Sequence, residues 1–282
     1  ELLKITSIKP FDFFFTFIGG SSTFSNIQKN HSLFATWNNI FNQQDNMNYL
    51  GEKNTRETLY NLSKLFGNQA GSIAERNGLL YLNKSIKENV LKMLKPGDVL
   101  LEKTPFRLTD KLIPGYWGHV AEWIGTPDEL EKLGVWTLIK PPYREFISQG
   151  RSIVEALRSG VEINDWDHFS NIDSFAILRR KNNDPKEIKY SVLTSLQQIG
   201  KAYDFNFDVL TSNVIVCSEL VYWSYPQVPF KLTQLADSKS IDPDAVAQAA
   251  LNDYFDIVTL VIDGVTQKNP LQTMRKLLSE EK

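Results

Sequence analysis

"VIVCSELVYWSY", residues 214–225, holds the only cysteine of a 282-residue chain. Three β-branched residues (Val214, Ile215 and Val216) lead into Cys217, and the residues after it have helical spacing. The junction reads as a strand entering a helix, with the thiol at the helix start. Free backbone N–H groups and the helix dipole at such a position favour a thiolate and can stabilise an oxyanion. A lone cysteine beside Val and Ile is more commonly a buried apolar filler. Which reading holds depends on the partners that the rest of the chain supplies.

A nucleophilic thiol needs a base, and the chain has three histidines. His31 lies in an Asn-rich N-terminal region and reads as a surface residue. His168, in "NDWDHFS", reads as part of a polar turn between strands. His119 opens a strand directly after "PGYWG", where a side chain can project into a cleft. Tyr116 and Trp117 of that stretch are candidate substrate contacts. So is Tyr203 of "AYDF", although Tyr203 and Asp204 read more plainly as a turn before the cysteine helix.

A third group has to orient the imidazole. Glu155 interrupts the otherwise apolar strand "SIVEAL" and shares a face with Ile153 and Leu157. A carboxylate buried there requires a partner; the plainer reading is a solvent-facing residue on an edge strand. His119-x-x-Glu122 has the look of a metal pair. On a strand, however, positions i and i+3 point to opposite faces. With one cysteine and no spaced histidine pair, neither a metal site nor a cofactor is expected.

Hydrophobic residues make up 42% of the chain and charged residues 23%, as in an ordinary globular protein. The net charge of −2 and the absence of a long basic run argue against a nucleic-acid partner. No stretch reaches the roughly 18 apolar residues of a membrane span. The segment "FDFFFTFIGG" (11–20) carries five phenylalanines in seven positions. It is expected to pack on the domain, the alternative being peripheral contact with lipid or an acyl chain. The chain begins at Glu1 rather than Met, which reads as a processed or trimmed form.

Leu59, Leu62 and Phe66 share a helical face ended by Gly67. A second helix is expected from a Ser85/Glu88 capping box, with a stripe of Ile86, Val90, Met93 and Leu94, ending at Pro96-Gly97. Strands are expected at 98–102, 119–125, 152–157, 160–164, 174–180 and 255–262, with a hairpin around Arg158-Ser159-Gly160. Asp184-Pro185 starts a helix that Gly200 closes. Further helices are expected after Cys217, from Asp242-Pro243 and over 267–281. Central strands with helices at both ends predict an α+β fold: an N-terminal, mostly helical extension over 1–91 and a catalytic domain over 92–282.

"LKPGDVLLEK", "WGHVAEWIG", "IVEALRSGVEI", "GKAYDFNFDV" and "VCSELVYWSY", in that order, resemble the permuted papain-like amidases of the YiiX/YaeF type. These are a circularly permuted branch of the NlpC-type cysteine peptidase superfamily. The resemblance spans about residues 92 to 226. The base-bearing strand precedes the cysteine helix, as in the permuted branch. The resemblance implies a papain-like core, an antiparallel sheet packed with helices. It also implies Cys217 as nucleophile, His119 as base and Glu155 as the third residue. Glu122 departs from the aliphatic residue usual in "HVxIYIG", and the first 90 residues match nothing in the family.

The implied activity is a cysteine amidase or peptidase, with the cell envelope as the expected setting and cell-wall or peripheral membrane contact as the expected association. A lipid-type acyl hydrolase or acyltransferase on the same triad, and a non-catalytic binding module, are the alternatives. A peptide amide or an acyl lipid is accordingly the expected partner.

Overall fold

The structure, a computed structural model, describes residues 76–280 apart from 108–109, 111–112, 114, 183, 205–208, 210–212 and 236–237. The helix read over 59–66, the Phe-rich segment and His31 lie outside the described residues. The first described helix, α1 (Lys84–Met93), is capped by Asn83, whose side chain accepts from the Ile86 N–H at 3.1 Å. The cap is therefore two residues earlier than the expected Ser85. The cause is local: Asn is among the best N-cap residues and reaches the third N–H of the helix directly.

The centre is a seven-stranded antiparallel sheet. Its strands are β1 (Asp98–Lys103), β2 (His119–Trp123), β3 (Ile153–Leu157), β4 (Gly160–Asn164), β5 (Ser174–Arg180), β10 (Phe255–Ile262) and β11 (Val265–Thr266). They lie in the order β11-β10-β5-β1-β2-β3-β4. Between them in sequence come β6 (Ala202–Tyr203) and β7 (Val214–Ile215), which form a short parallel pair, and β8 (Thr233–Leu235) with β9 (Ser238–Ser240), an antiparallel one.

Strands near the middle are buried on both faces, which is why "DVLLE" reads as a continuous apolar run rather than an alternating one. Val99, Leu101, Val120, Val154 and Leu178 enter one core. Leu100, Ala121, Trp123, Ile153 and Ile177 enter the other.

The first core is closed by α5 (Pro185–Gln198), α6 (Cys217–Ser224), α7 (Pro243–Leu251) and α8 (Pro270–Glu280), through Val192, Leu220, Val246 and Met274 among others. The second is closed by Val90 and Leu94 from α1 and its end, and by Trp166 and Phe169 of the short α4 (Trp166–Phe169). Helices α2 (Pro127–Lys132) and α3 (Pro141–Ser148) fill the connection from β2 to β3. Asp184 and Asp242 cap α5 and α7 from the position before a first-turn proline, as expected from sequence.

Candidate active site

Four adjacent strands place four polar side chains in one diagonal row. In the β1–β2 ladder Glu102 stands opposite His119, and in the β2–β3 ladder Ala121 stands opposite Glu155. His119 and Ala121 are two residues apart on one face, so His119 and Glu155 are diagonal neighbours across the strands. The hairpin β3–β4 pairs Ile153 with Asn164, which sets Asn164 diagonal to Glu155 in the same way.

The side chains complete what the register starts. Nε2 of His119 lies 3.1 Å from Oε2 of Glu155, and Asn164 Nδ2 donates to Glu155 Oε1 at 2.9 Å. Cys217 opens α6, which packs across β2 and β3, and its thiol is close enough to the His119 ring to raise the imidazole pKa. With Nε2 facing Glu155, the other ring nitrogen, Nδ1, is the one available to the sulfur.

Four supports hold these elements in place. Asp244, in the first turn of α7, accepts the backbone N–H groups of Tyr116 (3.0 Å) and Trp117 (2.8 Å) and so anchors the chain entering β2. Gly118 is required immediately before His119, because a Cβ there would lie 2.0 Å from Oδ1 of Asp110. At the start of α6, Glu219 accepts the Val216 N–H at 3.0 Å, and the Ser218 hydroxyl donates to the Ile241 carbonyl at 2.6 Å.

The electrostatics favour the charged forms of His119 and Glu155. Burial opposes protonation of His119, but adjacent Cys217, the Glu102 carboxylate and the hydrogen bonds to Cys217 and Glu155 outweigh it. The imidazole pKa is held well above its ordinary 6.5. For Glu155, burial favours the neutral acid. Its hydrogen bond and charge contact with His119, the charge of His168 and the bond from Asn164 prevail, and the pKa lies below the usual carboxylate value. Glu102, only 6% exposed, is raised by burial against the nearby His119 and Arg107.

Of the residues singled out in the sequence, the structure brings Cys217, His119 and Glu155 together. Tyr203 is within electrostatic reach of Cys217, and burial followed by that charge raises its phenol well above 10.0. Tyr203 pairs with Ile215 across β6–β7, while the Asp204 N–H donates to the Ile215 carbonyl at 3.2 Å. Trp117 is fully buried, and its indole N–H points to Met274 Sδ at 3.3 Å, so it packs the core instead of lining an opening. Tyr116 is half-buried with its ring edge-on to Trp117 and Lys103 over its face.

His168 differs from a plain turn residue. It is half exposed, on α4, yet its Nε2 is 3.6 Å from Glu155 Oε1. Glu122 points to the opposite face from His119, as strand geometry requires. There Ser191 and Ser195 (2.7 Å) of α5 donate to its carboxylate. Asn164 and Glu102 were not apparent from sequence; the hairpin register was the signal that would have found Asn164. Among the described residues no group of three or more His, Cys, Asp or Glu is arranged to hold a metal ion. No described helix is long and apolar enough to cross a membrane.

A thiol at a helix start, beside a strand histidine that is itself held by a carboxylate, comes with a sequence order of histidine, carboxylate, thiol. The chain belongs to the family of permuted papain-like amidase enzymes of the YaeF/YiiX type, the C92 peptidases, whose profile matches residues 93–273. At the level of the family it is a cysteine hydrolase. Among solved structures it is similar to the metalloprotein yiiX from Escherichia coli O157:H7, with 13% identity and a TM-score of 0.43. That similarity covers 61% of this chain and 98% of the other. Comparison with curated proteins returned no match.

Proposed function

We propose that the protein hydrolyses an amide bond through a Cys217–His119–Glu155 triad. The observation that carries the reading is the 3.1 Å contact of the His119 ring with Glu155, together with a Cys217 thiol near enough to the same ring to raise its pKa. His119 takes the thiol proton as the sulfur attacks the carbonyl carbon. The backbone N–H of Cys217, at the start of α6, faces the developing oxyanion. The imidazolium then gives its proton to the leaving amine as the C–N bond breaks, leaving a thioester on Cys217. A water, deprotonated by His119, attacks that thioester and releases the acid and the thiol. Glu155 holds the ring in the productive tautomer and stabilises its charge throughout.

Three matched probes test this: a peptide amide, a lipid ester and a thioester, each assayed with the wild type and Cys217→Ala. The expected result is turnover of the amide that falls by at least about 10³-fold in a folded Cys217→Ala variant. Turnover confined to the lipid ester would replace amidase with acyl hydrolase on the same residues. Equal turnover in wild type and variant would overturn the cysteine mechanism. A folded wild type that turns over no probe, and whose Cys217 resists iodoacetamide, would indicate a binding module.

A further inference from the structure

Beside the relay lies a cation that the proposed chemistry does not use. The two-residue turn Arg158-Ser159 joins β3 to β4, three residues after Glu155, with Leu157 paired to Gly160 at its base. The turn is pinned against the segment entering β6. The Val161 N–H donates to the Lys201 carbonyl at 2.8 Å, the Gly200 N–H donates to the Val161 carbonyl at 2.9 Å, and a Cβ on Gly160 would lie 2.7 Å from the Lys201 oxygen. From there β6 ends in Tyr203 and pairs with β7, two residues before Cys217. The hairpin turn and the strand leading into Cys217 thus flank β6, which carries Tyr203.

Arg158 is half-buried and makes no hydrogen bond or ion pair with any described residue. Burial lowers its pKa, with Tyr203 opposing and the like charge of Arg107 adding to the effect. Arg107, half-buried too, donates to the Asn171 carbonyl at 3.2 Å and lies over the Phe106 ring. A guanidinium taken partly out of water without an acceptor is unfavourable. Its fork of N–H donors is best satisfied by two oxygens of one anion. A second arginine within electrostatic reach raises the local positive potential rather than relieving it.

We propose that Arg158, backed by Arg107, forms an anion subsite beside Cys217 that takes an oxyanionic group of the substrate, a carboxylate or a phosphate. The subsite places a negative charge at the turn of the hairpin that carries Glu155, on the side of the β6 strand. It rests on the reading of Cys217 as nucleophile and adds to it a substrate class.

Alkylation of Cys217 by iodoacetate and by iodoacetamide, followed by intact mass, tests the subsite. In each reaction the sulfur forms a bond to the methylene carbon and iodide leaves with the electron pair, so only the reagent's charge differs. The iodoacetate-to-iodoacetamide rate ratio is expected to fall about tenfold in Arg158→Gln and to be largely kept in Arg158→Lys. An unchanged ratio in Arg158→Gln overturns the subsite and leaves the nucleophile standing. No labelling of folded wild type by either reagent sinks the nucleophile reading instead. Thermal melting then judges the subsite alone, with N-acetyl-alanyl-alanine against its C-terminal amide and glycerol phosphate against glycerol. Stabilisation by an anion but not its neutral partner, lost in Arg158→Gln, supports the subsite, and the stabilising anion shows whether it takes carboxylate or phosphate. No anion-specific shift in the wild type overturns it.

Discussion

Nε2 of His119 and Oε2 of Glu155 stand 3.1 Å apart although 36 positions and two α-helices separate them in the chain. The contact exists because β2 and β3 are neighbours in the sheet and Ala121, one diagonal step from His119, is paired with Glu155. A buried carboxylate held by an imidazole on one oxygen and by Asn164 on the other is kept charged where burial alone would neutralise it.

Glu155→Gln removes that charge and keeps the hydrogen-bonding shape. Turnover on the best probe substrate should drop by about 10²–10⁴-fold. The pH profile distinguishes this from a merely structural loss. In the wild type the imidazolium persists above pH 6.5, because its pKa is raised. Without the carboxylate the pKa falls, so the alkaline limb of kcat/KM should move to lower pH. An unmoved limb with unchanged turnover would remove Glu155 from the mechanism.

Asn164→Ala acts one step further out. Its amide lowers the Glu155 pKa by donating to the carboxylate, so its loss raises that pKa. The acid limb of the profile should shift upward in pH and activity should fall about three- to tenfold, consistent with one lost hydrogen bond to a charged group. His168, half exposed and 3.6 Å from the same oxygen, is too solvated to substitute for it.

Asp244→Ala leaves the Tyr116 and Trp117 N–H groups without their acceptor. A stability loss of about 1–3 kcal/mol is expected from denaturant melts. Activity should fall with it, because the two N–H groups anchor the residues that deliver His119 to the site. A fall in stability with full activity would show that β2 holds its own start.

Glu122→Gln should stabilise the protein in a pH-dependent way. Burial raises the Glu122 pKa, against the hydrogen bonds from Ser191 and Ser195, so the native state holds the proton more tightly than the unfolded chain. Native stability therefore falls as pH rises from about 4.5 through the raised native value, and stays lowered above it. Glutamine is neutral throughout. The melting temperature of Glu122→Gln relative to wild type should be level near about pH 4 and grow with pH. A difference independent of pH would place the ionisation elsewhere.

The order and approximate limits of the main-sheet strands β1 to β5 and β10 could be read from the chain, because β-branched and apolar runs bounded by Gly, Pro and Asp leave little choice of local structure. The starts of α5 and α7 were equally plain, since an aspartate followed by proline satisfies free N–H groups with a backbone already set for a helix. The helices α2 and α3 went unread between strands, although the Thr126/Glu129 capping box marks one of them. The thiol, the base and the carboxylate were named from residue type, local setting and family resemblance.

What sequence could not supply was register. Whether Glu155 faces His119 or solvent, and whether Asn164 and Glu102 join the row, turns on which residues of β1 to β4 stand opposite one another. A slip of one residue reverses every side chain. That choice is made by packing on both faces of the sheet and by the tight Arg158-Ser159 turn. The same packing sent Trp117 into the core and left Arg158 with no hydrogen bond or ion pair to a described residue, neither of which the identity of the residue discloses. The chain by itself determined which chemical groups are present and the local structure that carries them. Only the tertiary structure decided which of them meet, because the contacts that join them are made across strands and between elements far apart in sequence.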